Sequence, residues 1–281
     1  MPSVPFIGPK PRVFGHRGAA GLAPENTLPA FALGLALGAD VLELDVHATR
    51  DGVIVVIHDP TLERTTNGSG EVRAHRFYDL QQLDAGYRFT RDGRDFPYRE
   101  QGVRIPTLEA VLQQFLLAQC NIEVKQEDPP IAEEVIGTIR KLNAGNRVLL
   151  AAERDTIMAS IRLHAPEVAT SFTAPEVADF ITRVGAASWD GYVAAGRALQ
   201  IPPRFGDIEL VTPQSVAAAH DRGLEVHVWT INDRSEMERL LALGVDGIMS
   251  DLPGLARLAV EARRGKKQNG EWKMKNGKCE S

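Results

Sequence analysis

The chain has 281 residues, 43 % hydrophobic and 25 % charged, with a net charge of −5 at pH 7 and two cysteines. This is the composition of a soluble globular protein. It lacks the ~18-residue apolar run of a membrane-spanning helix, the cysteines of a disulfide framework or zinc site, and the basic balance of a general nucleic-acid binder. The proline-punctuated N-terminus does not read as a secretory signal, so a cytoplasmic location is the expectation.

In chain order, residues 12–16 read as a short strand and 27–37 as an amphipathic helix with Asn26 placed to cap it. Residues 41–48 form a strand, and Asp51-Gly52 turns the chain into a second run, 53–58. Residues 59–104 show no sustained period and are too long for an ordinary loop. Phe77, Tyr78, Tyr87, Phe89, Phe96 and Tyr98 crowd into this segment, which reads as a small inserted subdomain lying over the site to which His58 belongs. The pattern then alternates: helix 107–119, strand 120–125, helix 130–142, strand 147–152, helix 155–163, strand 169–173, helix 175–184 and a weak strand within 191–202. It ends with helix 213–222, strand 225–231, helix 233–243, strand 246–250 and helix 252–263. With 53–58 set aside, eight strands alternate with helices. This predicts an α/β protein, a TIM-type (β/α)8 barrel over 12–263, with the insertion after the second strand and hairpin. A doubly wound sheet would want a glycine-rich turn after its first strand, and His16-Arg17-Gly18-Ala19-Ala20-Gly21 matches that poorly. Residues 263–281 carry seven Lys/Arg against two acids, and 264–281 reads as a basic, disordered tail.

Strand parity locates the chemistry. In Val41–His47, Leu42, Leu44 and Val46 share one face, and Glu43, Asp45 and His47 the other. With the apolar face against helices, two carboxylates point inward near the end of the strand where barrel active sites lie. Salt bridging to basic groups across the barrel is the alternative explanation. Taking Asp51-Gly52 as a two-residue turn puts Asp45 opposite His58, a register that a slip of one would destroy. Asn121–Lys125 repeats the alternation with Glu123 and Lys125 inward, strand 225–231 places His227 and Trp229 inward, and the first strand ends in His16-Arg17. Three carboxylates suit one divalent cation, Mg²⁺ or Ca²⁺. Arginine and lysine beside it suit phosphate oxygens, and two histidines can share acid and base work. The inferred reaction is displacement at phosphorus.

The runs FGHRGAAGLAPENTLPAF, GADVLELDVHATRDGVIVVIHDPTLERTTNG, IPTLEAVL, NIEVK, VHVWTIN and DGIMSDLPG resemble, in that order, the glycerophosphodiester phosphodiesterase family across roughly residues 12–258. The resemblance implies a TIM-type barrel that hydrolyses glycerophosphodiesters, small molecules, to glycerol 3-phosphate and an alcohol. It implies His16 and His58 as the catalytic pair, Glu43, Asp45 and Glu123 as metal ligands, and Arg17, Lys125 and Trp229 as substrate contacts. His75, His164 and His220 read as structural, and His47 and His227 share the parity of the site without being demanded by the family pattern. Glu25 is accounted for by a helix dipole, Asp59 by orienting His58 or opening an Asp-Pro turn, and Asp251 by capping the last helix. Three other readings stand beside this one. A lysophospholipase D or sphingomyelinase-D-like enzyme would need an apolar channel, which the aromatic insertion could supply. A glycosidase would need neither metal nor Arg17 and Lys125. A non-catalytic phosphate binder would need neither histidine.

Overall fold

In the computed structural model, which describes residues 9–276 with the side chains of 266–276 excepted, the long strands turn one apolar face toward a ring of helices. The strands are β1 (Arg12–Gly15), β2 (Val41–Ala48), β3 (Ile54–Val56), β4 (Gln119–Val124), β5 (Val148–Ala151), β6 (Ala169–Thr170), β7 (Ala198–Ile201), β8 (Arg204–Phe205), β9 (Ile208–Glu209), β10 (Glu225–Val228) and β11 (Gly247–Ser250). The helices are α1 (Leu28–Ala36), α2 (Phe77–Leu80), α3 (Leu108–Gln114), α4 (Ala132–Lys141), α5 (Asp155–His164), α6 (Ala174–Ala186), α7 (Pro213–His220), α8 (Arg234–Leu243) and α9 (Pro253–Asn276). Eight strands pair in the order β6-β5-β4-β2-β1-β11-β10-β7, all parallel. A parallel bridge between Ser171 and Ala198 joins the two ends of this path. The result is a nearly closed, TIM-like barrel with a helix in each crossover, as the strand–helix alternation predicts. Among the described residues, no helix is long and apolar enough to cross a membrane.

Period-two alternation builds two layers of core. Leu42, Leu44, Val46, Ile122 and Val124 pack outward against Val111, Val135 and Ile139 of the helices. On the opposite half, Leu199, Val226, Val228 and Ile248 meet Val216, Met237 and Leu240. Each such fully buried side chain contributes roughly 1.5–3 kcal/mol. Inside the barrel, Phe14, Val41, Leu149 and Met249 fill the lower layers. The floor is ionic: Arg12, Lys10 and His227 converge on buried Glu225. His227 is level with Gly247, which pairs with Arg12, so it lies four residues below His16. Its inward parity therefore places it on the floor, bonded to Glu225 at 3.0 Å, and not at the mouth.

The insertion has a small core of its own, made by Leu62, Val72, Leu80, Ala85 and Val103. The alternation of β3 connects it to the barrel: Val55 and Ile57 face this cluster, while Ile54 and Val56 face the main core. Four of the crowded aromatics are engaged in ring contacts, while Tyr78 is exposed. Phe89 meets Tyr98 edge-on at 5.4 Å, and the Arg99 guanidinium lies 4.3 Å from the Tyr87 ring centroid and 3.9 Å from that of Phe96.

Two local expectations are corrected. The hairpin closes through three residues, Arg50-Asp51-Gly52, because Gly52 donates to the Thr49 carbonyl and takes φ +78°. This is a type I turn followed by a left-handed glycine. The register moves by one, pairing Val46 with Val56, so Asp45 faces Ile57 instead of His58. Helix α1 is capped by Thr27, whose side chain accepts from Ala30 N, because Asn26 is held at φ +57°, outside the extended region a cap needs. Helix α9 runs on to Asn276, into the segment whose composition suggests a disordered tail, and 277–281 lie outside the described residues.

A Cβ added at Gly15 would lie 2.1 Å from the Gly18 carbonyl oxygen, in the turn that carries His16 and Arg17. Gly15→Ala should therefore cost about 1–3 kcal/mol in urea unfolding. Gly137, inside α4 with open space at its Cβ position, is the contrast. Gly137→Ala should be stabilising by about 0.5–1 kcal/mol. Equal effects of the two substitutions would contradict this packing.

Candidate active site

The C-terminal ends of β1, β2 and β4 and the exit of the β2–β3 hairpin bring the predicted polar residues together. Asp45 and Glu123 stand side by side in register on neighbouring strands, both on the inner face. Glu43 lies one inward step below Asp45. Carboxylate oxygens of the three lie within 4.8 Å of one another. Their charges are offset unevenly. Lys125 Nζ lies 2.8 Å from Glu123 Oε1 and 3.3 Å from Asp45 Oδ1, and Arg17 Nε is 3.4 Å from Asp45 Oδ2. Burial raises the Asp45 pKa, but Lys125 and Arg17 outweigh it and hold the group below its ordinary value. Among the described residues, Glu43 meets the Arg17 backbone N–H, 2.8 Å away, and His16 Nε2 at 4.0 Å. Burial and the Asp45 charge together push its pKa up to about 8. Glu123 is raised too, mainly by burial and despite Lys125. The cationic neighbours thus leave the trio short of positive charge, and its donor set is all oxygen. Both properties fit a hard divalent cation. Glu43, Asp45 and Glu123 are the residues that would hold it.

The backbone is shaped to this purpose. Arg17 and Asn26 both adopt positive φ, at +48° and +57°, a conformation uncommon for residues other than glycine. Asn26 Nδ2 donates to Asp45 Oδ2 at 2.9 Å, and its Oδ1 accepts from Asp45 N at 3.3 Å. Asn26 therefore fixes a carboxylate of the trio instead of capping a helix.

Each histidine of the predicted pair has an aspartate on Nδ1. His16 Nδ1 meets Asp251 Oδ1 at 2.6 Å, and Asp251 Oδ2 accepts from Asn232 Nδ2 at 2.6 Å. His58 Nδ1 meets Asp59 Oδ1 at 2.6 Å, and Asp59 Oδ2 accepts from Arg64 Nε at 2.6 Å. With the proton fixed on Nδ1, Nε2 is the free nitrogen of each ring. Burial lowers the His16 pKa, but Asp251 and Glu43 outweigh it and leave the group above its ordinary value. Asp59 is held down at about 2: burial opposes ionisation, and the Arg64 and His58 hydrogen bonds prevail. The side chain of His47 is spent on the His58 carbonyl at 3.0 Å. Trp229 follows β10 at the mouth, 41 % exposed. His75, His164 and His220 bond to Ser69, Ser160 and Asp246, away from the carboxylates.

Besides Asn26, four residues here were not assigned to the site by sequence reasoning. Asp251 was expected as a helix cap and Glu25 as a dipole partner, yet Asp251 holds His16, and Glu25 accepts from Arg17 Nη1 at 2.9 Å. Arg64 and Asn232 went unread, although both lie inside the quoted family motifs. That position within a motif was the available signal.

The model of the glycerophosphoryl diester phosphodiesterase family matches residues 16–255. A glycerophosphodiester phosphodiesterase of Caldanaerobacter subterraneus subsp. tengcongensis is 33 % identical over 252 residues, covering 87 % of this chain and 95 % of the relative. The crystal structure of a glycerophosphodiester phosphodiesterase from Agrobacterium tumefaciens superposes with a TM-score of 0.72 at 31 % identity, covering 87 % of this chain and 98 % of that one. A phosphodiesterase of Oleispira antarctica, solved in complex with the product sn-glycerol-3-phosphate, gives a TM-score of 0.70 at 28 % identity, covering 90 % and 97 %.

Because Glu43 titrates near 8 in the folded chain and near 4.5 when exposed, folding takes up a proton between these values. The contribution of this group to stability therefore falls as pH rises through that window. A divalent cation must displace the proton at about pH 5.5 and finds it mostly gone at about pH 8.5. Thermal melting of chelator-stripped protein should show a larger rise on adding Mg²⁺ or Ca²⁺ at the higher pH, and Glu43→Gln should abolish most of it. Equal rises at both pH values, or a rise untouched by Glu43→Gln, would contradict the assignment.

Proposed function

The chain belongs to the glycerophosphoryl diester phosphodiesterase family, and on that premise we propose that it hydrolyses glycerophosphodiesters to glycerol 3-phosphate and an alcohol, with one divalent cation and two histidines. The observation that carries this reading is the single cluster of Glu43, Asp45 and Glu123 flanked by His16 and His58, each ring tied to its own aspartate.

A bound divalent ion, Mg²⁺ or Ca²⁺, would supply positive charge to the phosphoryl oxygens. Arg17 and Lys125 add theirs from the protein side, the first at the turn after β1 and the second just beyond β4. One histidine takes a proton at Nε2 from the attacking oxygen, which belongs to water or to the neighbouring glycerol hydroxyl. The other delivers a proton from Nε2 to the departing alcohol oxygen, so the P–O bond breaks to a neutral alcohol. Attack by water leaves glycerol 3-phosphate directly; attack by the glycerol hydroxyl leaves a cyclic phosphate, which a water then opens to glycerol 3-phosphate with the two histidines exchanging roles. Asp251 and Asp59 keep both rings turned inward and stabilise them when protonated, as a carboxylate behind a histidine does elsewhere. Trp229 offers a half-exposed apolar wall at the rim.

A second reading, a lipid diester with one acyl chain, is supported by a different observation. The β8–β9 hairpin follows β7 at the mouth and exposes Phe205 and Ile208, which pair across it. Trp229, whose backbone N–H donates to the Ile201 carbonyl, stands beside its base. This hairpin, with Phe205 and Ile208 exposed beside the mouth, is the surface that would meet an acyl chain.

A screen of glycerophosphodiesters against lysophospholipids, with divalent cation and with chelator, tests both readings. Turnover of the water-soluble diesters that chelation abolishes is the expected result. His16→Ala and His58→Ala should each reduce it by ~10²–10⁴-fold while leaving the melting temperature near wild type. Wild-type rates in either variant, or chelator-resistant turnover, would refute the mechanism.

A further inference from the structure

Arg64 lies in the first turn of the insertion, and its side chain is 46 % exposed. Its guanidinium makes two two-pronged contacts. Nε and Nη2 donate to Asp59 Oδ2 and Oδ1 at 2.6 and 3.1 Å, and Nη1 and Nη2 donate to Glu25 Oε2 and Oε1, both at 2.7 Å. Asp59 Oδ1 also accepts from His58 Nδ1 at 2.6 Å, and Glu25 Oε1 from Arg17 Nη1 at 2.9 Å. The contacts form one unbroken line, Arg17–Glu25–Arg64–Asp59–His58, from a phosphate contact to a proton carrier. Resting on the functional reading above, we infer that Arg64 is a positioning residue: it sets the separation of His58 from Arg17 and ties the insertion to the mouth of the barrel.

Three physical points support this. First, the fork of a guanidinium is the one side chain able to grip two carboxylates in two-pronged fashion at once; an ammonium offers a point charge and no plane. Second, Glu25 and Asp59 are like charges on opposite sides of that fork. Without it they repel, the His58 arm loses its anchor to the loop before α1, and Glu25 is left with Arg17 alone. Arg17 then has a stronger competitor to Asp45, from which its Nε now stands 3.4 Å away. Third, Arg64 is the exposed member of this line, its side chain 46 % exposed against 17 % for Glu25 and 24 % for Asp59, and an ion pair with one partner at the surface adds little to global stability, so stability alone does not account for four hydrogen bonds converging on one side chain. Misplacing a reacting group by about 1 Å, by contrast, can cost ~10²-fold in rate.

The test is steady-state kinetics on a water-soluble glycerophosphodiester with divalent cation, for wild type, Arg64→Ala and Arg64→Lys, alongside thermal melting. Arg64→Ala should lower kcat by about 10- to 100-fold, with a smaller change in KM, and leave the melting temperature within about 3 °C of wild type. Millimolar guanidinium ion should restore part of the lost kcat in Arg64→Ala and do nothing for wild type. Arg64→Lys, which keeps the charge and loses the fork, should stay well below wild type. An active wild type with Arg64→Ala within twofold in kcat overturns this inference alone, as does a kcat loss matched by a collapse of the melting temperature. A wild type inactive on every diester tried overturns the functional reading and this inference with it.

Discussion

Three carboxylates share one point in the barrel interior, and much of the mouth is arranged around that crowding. Like charges at this spacing in a buried site cannot all remain ionised without compensation. The chain supplies some of it: Lys125 and Arg17 serve Asp45, Lys125 also serves Glu123, and Glu43 has one backbone N–H and a histidine. The remaining deficit falls on Glu43. A site built for stability would have closed with another arginine. This one stays short of positive charge in the place where a barrel enzyme does its chemistry.

The barrel explains how such a cluster is held. Outward faces of β2 and β4 are locked into the helix layer by Leu42, Leu44, Val46, Ile122 and Val124, so their inward faces have no freedom of register. Asp45 and Glu123 are adjacent because the strands are. The histidines come from loops, and loops need other restraints. Each receives a carboxylate on Nδ1, and each carboxylate is itself held, Asp251 by Asn232 and Asp59 by Arg64. Rigid strands thus carry the proposed ligands, and short hydrogen-bonded chains orient the proposed proton carriers.

What was legible in the sequence follows the same division. Strand parity marked Glu43, Asp45, Glu123 and Lys125 because a period of two is written in the residues themselves, and eight strand–helix repeats dictated the barrel. Turn geometry was less legible. Asp51-Gly52 suits both a two-residue turn and the last two positions of a three-residue one, and only the Gly52 conformation separates them. His58 reaches the site because the chain leaves the ladder after Ile57, not because it faces Asp45. Asn26, Asp251 and Glu25 each had a sufficient local explanation, in a cap or a dipole, that concealed a partner 19, 235 or 39 residues away in sequence. Contacts at that range leave no periodic trace. The aromatic cluster of the insertion was visible, but a count of rings does not say whether they line a channel or pack on Arg99.

The central claim is that Glu43, Asp45 and Glu123 together bind one divalent cation. Calorimetric titration of chelator-stripped protein with Mg²⁺, Ca²⁺ and Mn²⁺ measures it most directly. The account predicts one site per chain, lost in Asp45→Asn and in Glu123→Gln while the fold persists. Absence of binding by the wild-type chain, or an isotherm that both substitutions leave intact, would contradict it.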